Sequence, residues 1–211
     1  MHQNFKRRQC LLCLKPLYAE GSLYHVLYKP KICIPCIQKF EVIYTYRKIN
    51  GYTILILYVY NAFFKQVLFQ YKGLYDLALK GVFLDIFHQE LKQRYRKHLM
   101  VVVPSSKRDN MKRGFIPNEE IVKTLGVDIF TGIYKLKEYK QTSQIDRNKI
   151  VDILAITDGS SIRGRKVVIF DDVITSGNTM YTCIDLIKQY HPKSIEIMVL
   201  ATNQISTLFK K

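Results

Sequence analysis

Two groups of residues in this 211-residue chain have types and spacings suited to chemistry. The first is the stretch Val167-Val168-Ile169-Phe170-Asp171-Asp172-Val173-Ile174-Thr175-Ser176-Gly177-Asn178-Thr179-Met180. An apolar run meets two adjacent carboxylates and then a hydroxyl-rich turn. A turn such as Thr175-Ser176-Gly177-Asn178-Thr179, leading into a helix, offers unpaired backbone N–H groups, hydroxyl donors and the positive end of a helix dipole, which together cradle phosphate. Gly177 lets the backbone curl around the anion. Asp171 and Asp172 cannot hold a phosphate. They can accept hydrogen bonds from sugar hydroxyls and help retain a hydrated Mg2+. The stretch therefore reads as a sugar-phosphate clamp, with acids on a ribose and the turn on its 5′-phosphate. The plainer alternative is a strand ending in two solvated acids. The G-x-x-x-x-G-K-[ST] and G-x-G-x-x-G patterns are missing, which disfavours ATP and NAD folds.

The second group is Cys10-Leu-Leu-Cys13 and Cys33-Ile-Pro-Cys36, two C-x2-C pairs. Each pair can form a tight knuckle, and two knuckles supply the four thiolates that tetrahedral Zn2+ prefers. Such a closed site is structural: it folds a segment too short for its own core. Redox cysteines are the alternative. Cys183 lies in an apolar helix pattern and reads as a core residue. His25 sits between the pairs, but four thiolates already fill a site.

The rest of the chain must position these groups. Hydrophobic residues make up 48%, enough for a core. Lys and Arg number 33 against 17 Asp and Glu, a formal charge of +16, which favours an anionic partner such as phosphates, nucleic acid or a membrane surface. No targeting or membrane-spanning segment is evident, so a cytoplasmic location is expected. Tyr52–Tyr60 reads as a strand, and Asn61 as the cap of a helix carrying Phe64, Val67, Leu68 and Tyr71 up to Gly73. Leu74, Leu77, Ala78, Gly81, Leu84, Phe87 and Leu91 recur at helical spacing. Leu99–Val103 is a strand stopped by Pro104. Asn118 starts a short helix, with Glu119 and Glu120 in its first turn and Gly126 after it. Lys166–Phe170 is a buried strand with Asp171 and Asp172 following it, Asn178–Tyr190 a helix and Ser194–Ala201 the last strand. Apolar strands alternating with helices predict an α/β fold with a mainly parallel sheet, and ligands bind such sheets at the carboxyl ends of their strands. The segment 134–158 holds a hairpin or an excursion. The expected division is a zinc-finger segment over 1–48 and an α/β domain over 49–211.

The acid-turn stretch resembles the phosphoribosyl pyrophosphate (PRPP) binding motif of type I phosphoribosyltransferases. The order of motifs extends the likeness: Cys10, Cys13, Cys33 and Cys36, then Tyr71-Lys72-Gly73, Val103-Pro104, Arg108-Asp109-Asn110-Met111-Lys112-Arg113-Gly114-Phe115, and the acid-turn stretch. Together these resemble the ComF competence family of ComFC proteins, and cover nearly the whole chain. Two departures stand out. Tyr71-Lys72-Gly73 lacks the family's Lys before Tyr and its spacer before Gly, and Ile116-Pro117 replaces the Asn-Gln that tends to follow Gly-Phe.

The resemblance implies a type I phosphoribosyltransferase (Rossmann-like) domain behind an N-terminal zinc finger. It implies PRPP binding with Mg2+ through Asp171, Asp172, Val173, Thr175, Ser176, Gly177, Asn178 and Thr179, the acids being the candidate catalytic groups. It also implies a pyrophosphate loop at Pro104-Ser105-Ser106-Lys107-Arg108, and a mobile flap at Lys112, Arg113 and Gly114. Seen alone, these are solvated basic loops. Lys135, Lys137, Lys140, Arg147 and Lys149, interleaved with Tyr134 and Tyr139, form a candidate single-stranded DNA surface, with a solvated loop as the alternative. Three functions follow: a protein for uptake or processing of single-stranded DNA in natural transformation, contacting DNA or a helicase; a Mg2+-dependent phosphoribosyltransferase; or a PRPP-sensing regulator.

Overall fold

The computed structural model describes residues 8–17, 30–136, 154–174 and 177–202. Within them, in chain order, are α1 (Ile34–Gln38), β1 (Val42–Ile49), β2 (Tyr52–Val59), α2 (Ala62–Gly73), α3 (His88–Tyr95), β3 (Leu99–Val102), α4 (Lys107–Arg113), α5 (Pro117–Lys123), β4 (Asp128–Phe130), β5 (Ile133–Lys135), β6 (Leu154–Ile156), β7 (Lys166–Ile174), α6 (Asn178–Lys188) and β8 (Ser194–Thr202). Six strands form one sheet in the order β1-β2-β8-β7-β3-β4. All neighbouring pairs are parallel except β1 with β2. Residues 42–48 therefore pair within the sheet rather than with the cysteine segment.

Strict side-chain alternation splits the core into two layers. Leu55, Leu57, Met100, Val102, Val168, Phe170, Met198 and Leu200 face a cluster that includes Phe64 and Tyr71 of α2 and Ile121 and Val122 of α5. Ile54, Ile56, Val101, Val167, Ile169, Ile197 and Val199 face Met180, Cys183, Ile184 and Ile187 of α6. A sheet covered on both faces explains why its strands read as continuous apolar runs. Helix α2 starts where Asn61 accepts a hydrogen bond from the Phe64 N–H at 2.8 Å, a cap worth about 1 kcal/mol.

Four expectations change. The apolar spacing from Leu74 to Leu91 does not form one helix. Tyr75 has φ +64° and the Asp76 side chain caps Ala78 N, so the chain forms two 3-10 turns, Leu77–Gly81 and Asp85–Phe87, before α3. Local side-chain-to-backbone bonding has displaced helical continuation. Strand β7 does not stop at Phe170 but runs through both acids, with Asp171 paired to Val199 and Val173 to Ala201. Lys107 and Arg108 are not in a loop but in the first turn of α4, which Ser106 caps by accepting from Asp109 N at 3.3 Å. Helix α5 starts at Pro117 with Ile116 as its cap residue, leaving the Asn118 side chain free to reach elsewhere. The 134–158 excursion contains the antiparallel pair β5 and β6, with Tyr134 opposite Ala155. Residues 137–153, which carry most of the proposed DNA surface, lie outside the described residues.

Candidate functional site

The carboxyl ends of β3 and β7 lie side by side. Their parallel register continues past β3, with Val103 N donating to Phe170 O at 3.0 Å. The segment 104–108 therefore leaves β3 at the level where β7 reaches Asp171 and Asp172. Helix α4 ends at Gly114, φ +75°, a left-handed stop that returns the chain towards α5. Between β3, α4 and β5 opens a cleft of about 800 Å³ whose lining includes Ser105, Lys107, Met111 and Lys135. The acids lie outside the residues that line it.

Past β7, Thr175 and Ser176 lie outside the described residues. Gly177 occupies the cap position of α6 with φ +77°, and Asn178 and Thr179 form the first turn. A Cβ on Gly177 would stand 3.2 Å from the ring of Tyr181. Left-handed backbone and tight space both favour glycine. Gly177→Ala should therefore cost about 1–2 kcal/mol, read as a lowered thermal midpoint; an unchanged midpoint contradicts that need.

The acids are not a free pair. Lys72 Nζ lies 2.5 Å from Asp172 Oδ2, with the two side chains 23% and 12% exposed. Asn118 Nδ2 donates to Asp171 Oδ1 at 2.9 Å, and Asp172 N donates to the same oxygen at 2.9 Å. Burial, then the neighbouring Asp172 charge, pushes the Asp171 carboxyl well above the usual aspartate range. Burial works upward on Asp172 too, but the Lys72 ammonium and hydrogen bonds outweigh it, and Asp172 is held low. Two adjacent acids in one poorly solvated place are thus pushed in opposite directions.

Further contacts tie the site together. Arg113 Nε donates to Lys72 O at 2.8 Å, and the buried Tyr71 hydroxyl donates to Pro117 O at 2.7 Å. Ser105 Oγ donates to Asn110 Oδ1 at 2.6 Å. The contacts of Lys72 and Asn118 with the acids were missed in the sequence. Lys72 stood inside the Tyr71-Lys72-Gly73 element, so a signal existed. Asn118 read as a helix cap, and the amide reaches Asp171 beside Ile116-Pro117, the pair that departs from the resembled pattern.

The four cysteines converge. Their sulfurs all lie within 4.8 Å of one another, and Cys13 and Cys33 Sγ are 3.6 Å apart. Two thiolates bound tetrahedrally at about 2.3 Å would stand roughly 3.8 Å apart, so the cluster fits Zn2+. Burial raises the Cys10 thiol, but N–H donors from Cys33, Cys13 and Leu12 bring it down to about 6. Burial and the neighbouring sulfurs raise Cys36. One thiolate is favoured beforehand, and a bound cation would offset the upward push on Cys36. Cys10 and Cys36 are buried in the same core cluster as Phe40, Tyr58 and Phe64, and Lys31 N donates to Asp85 at 2.9 Å. The cysteine cluster is thus packed against the helical layer that carries Lys72.

Comparison with known proteins bears on this arrangement. Residues 110–211 match the family model of the phosphoribosyl transferase domain. Competence protein ComFC of Streptococcus pneumoniae is 27% identical over 146 residues, 68% of this chain and 66% of the relative. Mouse (Mus musculus) hypoxanthine-guanine phosphoribosyltransferase is 34% identical over 56 residues, 26% of each chain. The chain thus spans just under two thirds of the competence protein and a quarter of the mouse enzyme. Among solved structures, a hypoxanthine phosphoribosyltransferase from Staphylococcus aureus overlaps 58% of this chain and 62% of its own at 17% identity, with a TM-score of 0.39, too loose to argue from.

Proposed function

From the premise of a ComFC-like protein with a type I phosphoribosyltransferase fold, we propose that this chain binds PRPP together with Mg2+, and does so while handling single-stranded DNA. The observation that carries the first part is the acid pair at the carboxyl end of β7, next to the strand β3 from whose end a cleft carrying Lys107 and Lys135 opens. Asp171 and Asp172 accept the ribose hydroxyls. The turn from Thr175 to Thr179 takes the 5′-phosphate at the start of α6. Ser105, Lys107 and Arg108 take the diphosphate through charge-assisted hydrogen bonds. Lys112 and Arg113 flank the same ligand.

The donor set suits Mg2+ only in company. Mg2+ keeps most of its water and binds through one or two carboxylates plus substrate phosphates. Two acids, one already paired with Lys72, make half of such a site, and the diphosphate supplies the rest. When bound, the ion offsets charge on the departing diphosphate. The residues' task is to hold both ends of the ligand so that developing charge meets fixed partners. The test is calorimetry of the zinc-loaded protein with PRPP and Mg2+; absence of heat overturns the reading.

A surface at the opposite, amino ends of the strands supports the DNA part. A concavity of about 520 Å³ is lined by Arg94, Arg96, Lys97, His98, Arg165, Lys166 and Lys193, among others. Arg94 pairs with Glu196 and Arg165 with Asp128. Among the described residues, Arg96, Lys97, Lys166 and Lys193 have no acidic partner, and all four are exposed. Unpaired cations facing solvent suit a phosphodiester backbone. Replacing Lys97, Lys166 and Lys193 by Gln should weaken oligonucleotide binding and lower the salt slope by about 2, since each single-strand phosphate contact contributes roughly 0.7. An unchanged slope would place the DNA elsewhere.

A further inference from the structure

Lys72 reaches the acid pair from outside every segment that the PRPP reading uses. It lies in the last turn of α2, yet its ammonium meets Asp172 and its backbone carbonyl accepts from Arg113 in α4. Asn118 reaches the other acid from α5. Asn118 is 4% exposed, and its Oδ1 is buried without a hydrogen-bond partner. Each acid therefore has its own partner, a cation for one and a neutral amide for the other.

The strand geometry shows what these partners decide. Successive side chains in a strand point to opposite faces. Asp171 and Asp172 are neighbours inside β7, so the pleat alone would part them. A ribose presents two adjacent hydroxyls and needs both carboxyl groups turned towards one ligand. Helices α2 and α5 pack on the same face of the sheet, through Tyr71 on one and Ile121 and Val122 on the other. Tethers from that single face reach both acids.

We propose that Lys72 and Asn118 are positioning residues: Lys72 fixes Asp172 and Asn118 fixes Asp171, so that two adjacent carboxyl groups present converging, unlike acceptors to the vicinal hydroxyls of a ribose phosphate. The inference rests on the PRPP reading and names which side of the ligand depends on these residues. The tie from Arg113 runs to the Lys72 backbone and survives any substitution of the Lys72 side chain. Diphosphate binding on α4 is therefore expected to be independent of the Lys72 ammonium.

Ligand fragments separate the two sides. The full-length, zinc-loaded protein is titrated with PRPP and with ribose 5-phosphate, each with Mg2+, and with inorganic pyrophosphate without Mg2+, so that the acids are not linked to the diphosphate through the ion. Lys72→Met should weaken PRPP and ribose 5-phosphate by about tenfold or more, the scale of one lost charge-assisted contact, and leave pyrophosphate within about twofold. Lys72→Arg, which keeps the charge, should recover most of the ribose 5-phosphate affinity. If Lys72→Met lowers the melting temperature, Asn118→Ala carries the same expected split and decides the matter. Equal loss for both fragments, or no loss for either, overturns the inference while PRPP binding stands. Failure of the unaltered protein to bind PRPP overturns the site reading itself.

Discussion

Asp171→Asn combined with Asp172→Asn is expected to abolish the proposed PRPP binding while leaving the fold and the proposed DNA binding in place. Each acid is assigned a hydrogen bond to a ribose hydroxyl, charge-assisted for Asp172, and such bonds contribute about 1–3 kcal/mol each. Losing both lowers affinity by roughly 10²- to 10⁴-fold, enough to take binding out of calorimetric range. The single variants differ in their effect on stability. Asp172→Asn leaves the Lys72 ammonium without its anion, and breaking such a pair costs more than the pair contributes. Asp171→Asn replaces a carboxyl whose protonated form the fold already favours, so it should cost less. Melting curves taken beside the titrations distinguish lost binding from lost fold. DNA affinity should change little, because the basic surface lies at the other end of the strands. Full PRPP affinity in the double variant would remove the acids from the site.

The same pair sets a pH dependence. The folded value of Asp172 lies below the ordinary aspartate value: burial pushes it up, but Lys72 prevails. Its contribution to stability is present above the ordinary value and is lost as pH falls through the lowered one. The folded value of Asp171 is raised, by burial first and then by Asp172. Its sign is opposite: the protonated form suits the fold, and stability declines as pH rises through the raised value. Asp171→Asn should remove that second decline.

Stripping zinc gives the second large effect. Apparent zinc-binding free energies of about 10–16 kcal/mol for four-ligand sites match or exceed the whole stability of an ordinary domain. Cys10 and Cys36 are buried in one core cluster with Phe40, Tyr58 and Phe64. Losing the metal should therefore loosen the layer over β2 and α2 as well as the cysteine loops. A strong chelator, or Cys10→Ser, is expected to lower the thermal midpoint by well over ten degrees, at roughly 2–4 °C per kcal/mol for a chain this size. Weakened PRPP binding should follow, because α2 carries Lys72. A purified protein with less than one zinc per chain and an unchanged midpoint in Cys10→Ser would contradict a structural metal.

Local chemistry was legible in the sequence where one residue type dictates one geometry. Asn61 capped its helix, Pro104 ended its strand, and the spacing of the cysteines anticipated a four-sulfur cluster. Continuous apolar runs announced a parallel sheet, and residues 52–59, 166–170 and 194–201 are all strands within it. The failures share a cause: long-range pairing or a local side-chain bond displaced the simpler pattern. Asp171 and Asp172 look like the residues after a strand because carboxylates seldom lie inside one, yet pairing with β8 carries β7 through to Ile174. The apolar spacing after Gly73 is helical, but Asp76 and Tyr75 break it into turns. Lys72 and Asn118 could not be attached to the acids from spacing, because each reaches Asp171 or Asp172 from a distant part of the chain. Only the packing of α2 and α5 over β7 brings them there.

Titration of the zinc-loaded protein with PRPP in the presence and absence of Mg2+ tests the central claim most directly. Saturable heat with one PRPP per chain, much reduced without Mg2+ and abolished by Asp171→Asn with Asp172→Asn, is the expected result. No heat at any Mg2+ concentration, or heat that the double variant leaves unchanged, would contradict it.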